Sequence, residues 1–135
     1  MARGVLHNQH DVLLIFTLRK RKLPLERERR SPVGLNCGLG FALASDYNPG
    51  SSPAGDMRWI WALGCIRMRL TPAQAFNAIT LNSAYAMGVS DLCGSITPGK
   101  RANLILTRPG WNLTKIPYLH HTPFIRQVYL QGKPV

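Results

Sequence analysis

The chain has 135 residues, of which 45% are apolar and 17% charged, and its 17 lysines and arginines outnumber six acidic residues. This length and composition predict a single globular domain with one core and argue against intrinsic disorder. No uncharged apolar run reaches the roughly 18 residues of a membrane span, and "VLLIF" (12–16) is too short for the core of a signal peptide. The three cysteines are widely spaced without a C-x-x-C, which favours reduced thiols in a cytoplasmic protein over a disulfide framework.

Residues 1–36 form a basic leader whose charge is densest in "LRKRKLPLERERR" (18–30). One interpretation is a module that binds nucleic acid or an acidic partner through residues 18–30. The other is an unassigned, solvated and poorly ordered leader. The second is favoured because 18–30 lacks an aromatic residue for base stacking, and because Pro24 and Pro32 prevent one continuous basic helix.

The first element with a clear pattern is a strand in "GFALASD" (40–46), a short apolar run bounded by glycine and by turn residues. Asp46 ends this run. The next residues, "YNPGSSPAG" (47–55), are predicted to form a loop, because Asn-Pro, Pro-Gly and Ser-Pro pairs all favour turns. The sequence therefore predicts a carboxylate at the C-terminal end of a buried strand.

Two helices are predicted after this loop. Residues 56–69 carry apolar side chains almost all round the helix, with Asp56 as N-cap, so this helix should be covered on more than one side. Residues 70–88 carry the start signal of a capping box, in which Thr71 is the N-cap and Gln74 the third helical residue. Small residues on one face of the second helix indicate close packing against another element.

The remainder changes from helical to strand-like patterns. "SITPGK" (95–100) is predicted as a short strand that enters a Pro-Gly turn, and "ANLILT" (102–107) as a second strand. "IRQVYLQGKPV" (125–135) alternates between apolar and polar residues and ends in a Gly-Lys turn. These segments predict a small sheet outside the helical layer.

The quoted segments resemble a known family when they are taken together. "SDYNPGSSP" before a helix, then "LTPAQAFNAITLNSAYAMG", then "GSITPGKRANLIL", resemble the C-terminal third of the imidazolonepropionases, which belong to the metal-dependent amidohydrolase superfamily. The second and third segments indicate the superfamily, and "DYNPGSSP" points to the imidazolonepropionases. The resemblance runs from about Gly38 to Val135.

The resemblance implies an α/β fold. The chain would be the C-terminal fragment of a (β/α)8 barrel together with part of a small β-sandwich. Residues 37–93 would form the last barrel strand and the helices after it, and residues 94–135 the C-terminal strands of the sandwich. Because active sites of such barrels lie at the C-terminal ends of the strands, Asp46 would lie where catalytic groups belong.

The resemblance also implies a reaction, the hydrolysis of the cyclic amide of 4-imidazolone-5-propanoate to N-formimidoyl-L-glutamate in histidine degradation. Asp46 would bind a zinc or iron ion and transfer protons. Asn48 and Gly50 would contact the opened product, and Ser51 the ring substrate. The alternative from composition alone is an Asn-Pro-Gly turn with a capping aspartate.

The sequence departs from the family pattern in its histidines. Amidohydrolases bind metal through an H-x-H pair and further histidines, whereas this chain has only His7, His10, His120 and His121. The first two lie in the leader, and the last two are expected at the surface, at most as an incidental metal-affinity patch. Because a catalytic zinc has about three protein ligands, the isolated chain is expected to be an inactive truncation that binds catalytic metal poorly.

Truncation predicts association as well. The strand at 40–46 would keep an open edge, and Trp59, Trp61 or Ile66 would be exposed. The expected partners are therefore the small-molecule substrate and either a second copy of the chain or a chain that completes the barrel, with no membrane and with nucleic acid disfavoured.

Overall fold

The computed structural model describes Val5–Leu6, Leu14–Leu18, residues 40–50 and residues 53–135. Within these residues the elements follow in the order β1 (Val5–Leu6), β2 (Leu14–Leu18), β3 (Gly40–Ala44), α1 (Met57–Met68), α2 (Pro72–Ile79), α3 (Leu81–Ala86), β4 (Leu104–Thr107), α4 (Lys115–Tyr118), β5 (Ile125–Leu130) and β6 (Lys133–Pro134). None of the helices in this part of the chain combines the length and apolarity needed to cross a membrane.

The first sheet has the strand order β1-β2-β3 and is antiparallel. The register of β2 on β3 runs from Leu14 opposite Ala44 to Leu18 opposite Gly40. The sequence analysis predicted no strand within the leader, whereas β2 lies there and pairs with β3. Because β3 is the last strand of this sheet, its other edge has no strand partner among the described residues, as the sequence analysis expected. The segment 19–39, which holds nearly all of the proposed 18–30 binding module, lies outside the described residues.

The predicted helix at 56–69 is confirmed as α1. Its N-cap is Asp56, whose carboxylate accepts a hydrogen bond from the Arg58 main-chain N–H at 2.9 Å. The helix ends where Arg69 adopts a left-handed backbone conformation with φ of 56°, and the following Leu70 N–H donates to the Gly64 carbonyl at 3.2 Å. These bonds satisfy main-chain groups that a helix end otherwise leaves without partners.

The second predicted helix is divided into α2 and α3. The capping box at its start is confirmed, with the Gln74 N–H donating to Thr71 Oγ1 and the Thr71 N–H donating to Gln74 Oε1. The division falls at Thr80, where φ is −118° and ψ −83°. The Thr80 hydroxyl donates to the Phe76 carbonyl at 2.7 Å, a side-chain bond of the kind that often bends helices.

The second sheet has the order β4-β5-β6, as the strand patterns at 102–107 and 125–135 predicted. Gln131 and Gly132 join β5 to β6 with positive φ at both residues, the backbone of a type I′ hairpin turn. The strand predicted in 95–100 is wrong: the Lys100 N–H donates to the Thr97 carbonyl across a Pro-Gly turn, and these residues pair with no described strand.

The core lies between β3 and the helices packed on it. It consists of buried apolar side chains from β3, α1, α2, α4 and the connections between them, namely Phe41, Leu43, Ile60, Trp61, Leu70, Ala75, Ala78, Ile116 and Phe124. The helix α1 packs against β3, α2 and α4, which confirms that it is covered on more than one side. A Cβ on Gly64 would lie 2.9 Å from Leu43 Cδ1, so this glycine lets α1 approach β3 closely. Of the side chains expected to be exposed, Ile66 is 69% exposed and Trp61 is buried.

Candidate active site

Asp46 lies two residues beyond the end of β3, at its C-terminal end, and is half-buried. Its backbone has φ of 47°, in the left-handed region. This region costs an L-residue free energy, and aspartate is among the few non-glycine residues that visit it. The chain therefore turns sharply at the carboxylate that the sequence analysis singled out.

Asn48 links the residues of this turn. Its Nδ2 donates to the main-chain carbonyl of Asp46 at 2.7 Å, and its Oδ1 accepts from the Gly50 N–H at 3.0 Å. Three of the four predicted site residues, Asp46, Asn48 and Gly50, are therefore joined in one hydrogen-bonded turn. Ser51, the fourth, lies outside the described residues. The side chain that caps a helix here is that of Asp56 rather than Asp46.

Two residues that the sequence analysis did not select fix the strand that leads to this turn. The Asn82 Nδ2 donates to the Phe41 carbonyl at 2.7 Å, and the Ser83 hydroxyl lies 3.1 Å from the Leu43 carbonyl. Both side chains come from the start of α3 and reach about 40 residues back along the chain. The only signal in the sequence is a polar Asn-Ser pair inside an otherwise apolar helix.

A second polar group lies at the start of α1. Arg58 Nε and Nη2 donate to both oxygens of the Asp56 carboxylate at 2.7–3.0 Å, and these hydrogen bonds hold the pKa of Asp56 below its ordinary value despite partial burial. The same hydrogen bonds, together with the charge of Asp56, raise the pKa of Arg58. The imidazole of His120 packs on the Trp59 ring with centroids 4.9 Å apart, and His121 lies beside His120 at 5.5 Å.

The described residues do not by themselves fit a catalytic metal ion. No three of their His, Cys, Asp and Glu side chains come close enough together to hold one. Asp46 supplies one carboxylate, whereas a catalytic zinc typically has about three protein ligands. His7 and His10 lie outside the described residues.

The sequence model of the Amidohydrolase family matches residues 12–135, so the chain belongs to this family. The match includes β2 and begins well before Gly38, where the resemblance noted in the sequence starts. The family match extends through the turn at Asp46, the helices and the second sheet.

The chain matches curated relatives that are named imidazolonepropionase. The chain is 48% identical over 99 residues to that of Flavobacterium johnsoniae, which covers 73% of this chain and 24% of the relative. It is 38% identical over 100 residues to that of Streptococcus pyogenes, which covers 73% and 23%. The resemblance to imidazolonepropionases is thereby confirmed, and the chain spans about a quarter of the length of the curated relatives it matches.

A solved structure shares the fold. The Escherichia coli guanine deaminase superposes with a TM-score of 0.51 and 23% identity, over 66% of this chain and 26% of that chain. Together with the family match, this similarity confirms the α/β fold class, with the chain corresponding to part of an amidohydrolase barrel.

Proposed function

We propose that the chain supplies the Asp46 turn of an imidazolonepropionase-type site, which hydrolyses 4-imidazolone-5-propanoate to N-formimidoyl-L-glutamate in cytoplasmic histidine degradation. The observation that carries the proposal is the position of Asp46 at the C-terminal end of β3, bonded through Asn48 into one turn with Gly50. Support comes from the 48% identity to the Flavobacterium imidazolonepropionase.

In the proposed reaction Asp46 moves a proton. Its carboxylate takes a proton from the attacking water as the oxygen bonds to the ring carbonyl carbon. The carbon–nitrogen bond of the cyclic amide then breaks, and the departing nitrogen receives that proton, which restores the carboxylate.

The loop would bind the small molecule. Asn48 and Gly50 are proposed to contact the opened product and Ser51 the ring. Because the Gly50 N–H and the Asn48 amide are held by each other, a ligand would meet groups whose orientation is already fixed. Zinc or iron stays part of the proposal, with ligands besides Asp46 drawn from outside the described residues.

We propose that a barrel-completing chain supplies those groups. A second copy of this chain is the alternative partner for association, although it would carry the same histidines. The chain on its own, mixed with zinc or iron(II) and 4-imidazolone-5-propanoate, is expected to show no loss of imidazolone absorbance above the blank. Robust turnover that Asp46→Asn abolishes would overturn this expectation of inactivity.

A chimera tests the function directly. The aligned 99 residues of the Flavobacterium imidazolonepropionase would be replaced by those of this chain. We expect turnover in the chimera and a loss of about 10² or more in kcat for Asp46→Asn, since a positioned proton-transfer group contributes about that much. Asp91→Asn, which changes an exposed aspartate, is the matched control and should leave kcat unaltered. A folded chimera that is inactive, or one that keeps its kcat with Asp46→Asn, would contradict the proposal.

A further inference from the structure

We propose that Asn82 is a positioning residue for the Asp46 turn. Its side-chain amide ties α3 to β3 and so fixes the strand end from which Asp46 turns. The catalytic meaning of this tie rests on the proposed function, whereas the effect on the turn itself does not.

The contact acts on the main chain of the strand. Successive residues of a strand direct their main-chain groups to alternate edges, so the carbonyls of Phe41 and Leu43 face the same edge of β3. Asn82 Nδ2 donates to the first at 2.7 Å, and the Ser83 hydroxyl lies 3.1 Å from the second. Two neighbouring side chains of α3 therefore meet two carbonyls along one edge of the strand.

Asn82 is the stronger of these two links. The Ser83 hydroxyl also lies 2.7 Å from the Ala78 carbonyl. A hydroxyl has one proton, and the shorter distance favours the bond to Ala78 within the helical layer. The amide proton of Asn82 at Phe41 has no competing acceptor among the hydrogen bonds described for it, so this is the better defined of the two hydrogen bonds between α3 and β3.

The strand carries this restraint to the turn. Ala42 and Leu43 are buried in the core, so a shift of the strand at Phe41 moves the whole packed segment. Asp46 follows three residues after Leu43 in a left-handed backbone conformation. Such a conformation persists only where the surrounding structure determines it, and the Asn82 bond is one of the contacts that hold the preceding strand.

The break at Thr80 lets Asn82 make this contact. The helix α2 ends at Ile79, and α3 begins at Leu81 with Thr80 as its N-cap. Asn82 and Ser83 then lie in the first turn of α3, which packs against β3. The helix break at Thr80, which the sequence analysis did not predict, therefore acquires a role in the site.

The test is an NMR comparison of the full chain and its variants. Asn82→Asp keeps the side-chain shape but replaces the donor with a carboxylate, which cannot donate to the Phe41 carbonyl when ionised. We expect displaced amide resonances for Asp46, Asn48 and Gly50 and an altered coupling constant for the Asp46 φ angle. Asn77→Asp, at an exposed position of α2, is the matched control and should leave these resonances in place. Unaltered turn resonances in a folded Asn82→Asp variant would overturn the proposal.

A second variant keeps the test decisive if Asn82→Asp does not fold. Asn82→Gln retains the amide donor on a longer side chain, and we expect a smaller but measurable displacement of the same three resonances. Turn resonances identical to those of the unaltered chain would overturn the proposal here too, with Asn77→Gln as control.

The chimera separates this inference from the proposed function. There Asn82→Asp is expected to lower kcat by about tenfold to a hundredfold with little change in KM, because a displaced catalytic group loses reactivity more than binding. A displaced turn with a chimera that is inactive even with Asn82 intact would refute the proposed function and leave the positioning role standing. An active chimera in which Asn82→Asp changes neither the turn nor kcat would refute the positioning role alone.

Discussion

The two sheets of the molecule differ in the contacts that stabilise them. The β3 layer, formed by β3 with α1, α2 and α3, buries Phe41, Ala42 and Leu43 in the core. The terminal sheet, formed by β4, β5 and β6, buries none of its strand residues, and the neighbouring Ile105 and Leu106 are 60% and 46% exposed. Successive strand residues point to opposite faces, so both faces of β4 expose apolar surface.

This difference indicates where the molecule is rigid. Side-chain packing fixes the β3 layer, whereas the terminal sheet depends on main-chain bonds and a tight turn. It joins the core through Phe124, which is buried just before β5 and packs 5.4 Å from the Trp111 ring. The Asp46 turn therefore follows directly on the better packed β3 layer, and local unfolding should begin in the terminal sheet.

The largest expected effect comes from the centre of the β3 layer. Leu43→Ala empties a fully buried position and should lower the free energy of unfolding by about 3 kcal/mol or more, through lost burial and a residual cavity. Leu106→Ala, in the terminal sheet, is the control and should cost less than about 1 kcal/mol. Urea denaturation of both variants measures the difference. Equal losses would show that the two sheets are packed alike.

Gly94, after α3, gives the next largest effect. Its φ is 93°, and a Cβ there would lie 2.6 Å from Ala84 Cβ. Gly94→Ala therefore combines backbone strain with overpacking, and we expect a loss of about 2 to 3 kcal/mol in unfolding free energy. Gly88→Ala separates the two causes, because its φ is 71° with no atom within 4 Å, so only strain of about 1 kcal/mol should remain. A Gly94→Ala variant as stable as Gly88→Ala would contradict the close contact.

Local signals in the sequence predicted the elements that local chemistry determines. The Asp56 cap and the Thr71–Gln74 capping box each depend on residues within four positions of one another. The Gly-Lys turn predicted near the C-terminus lies one residue earlier, at Gln131–Gly132. The position of Asp46 followed from the length of one apolar run and the turn residues after it. Neighbouring residues settle such features, so they can be read without knowledge of the fold.

The contacts that sequence reasoning missed are non-local. The pairing of β2 with β3 joins segments more than 20 residues apart. The bond from Asn82 to Phe41 spans 41 residues. Hydrophobic periodicity does not predict a hydrogen bond between a polar side chain and a distant main-chain carbonyl. The break at Thr80 was hidden because the residues on both sides of it keep a helical pattern.

A smaller effect is expected within the β3 layer at Trp61. Its indole Nε1 donates to the Pro72 carbonyl at 2.9 Å, which joins α1 to the start of α2. Trp61→Phe removes this donor and part of a buried ring, and we expect a loss of about 1 to 2 kcal/mol by thermal or urea denaturation. Trp111→Phe, at a half-buried ring near the terminal sheet, should cost less. A larger loss of stability for Trp111→Phe than for Trp61→Phe would place the tighter packing at the terminal sheet.

The smallest effect is expected at the surface of α1 and depends on pH. Arg58 lowers the folded-state pKa of Asp56 through hydrogen bonds to its carboxylate. A carboxyl group whose pKa is lower in the folded than in the unfolded chain stabilises the fold above its unfolded pKa, and this stabilisation is lost as pH falls through the folded value.

Asp56→Asn keeps a good N-cap but cannot ionise, so stability should fall less on acidification in this variant than in the unaltered chain. At neutral pH it should cost only about 0.5 kcal/mol, because the ion pair is more than a third exposed and water screens it. Urea denaturation across acidic to neutral pH measures both effects, with Asp91→Asn as the control that leaves the pair intact. Acid sensitivity identical in Asp56→Asn and the unaltered chain would mean that the Asp56–Arg58 pair contributes nothing to the stability of the β3 layer.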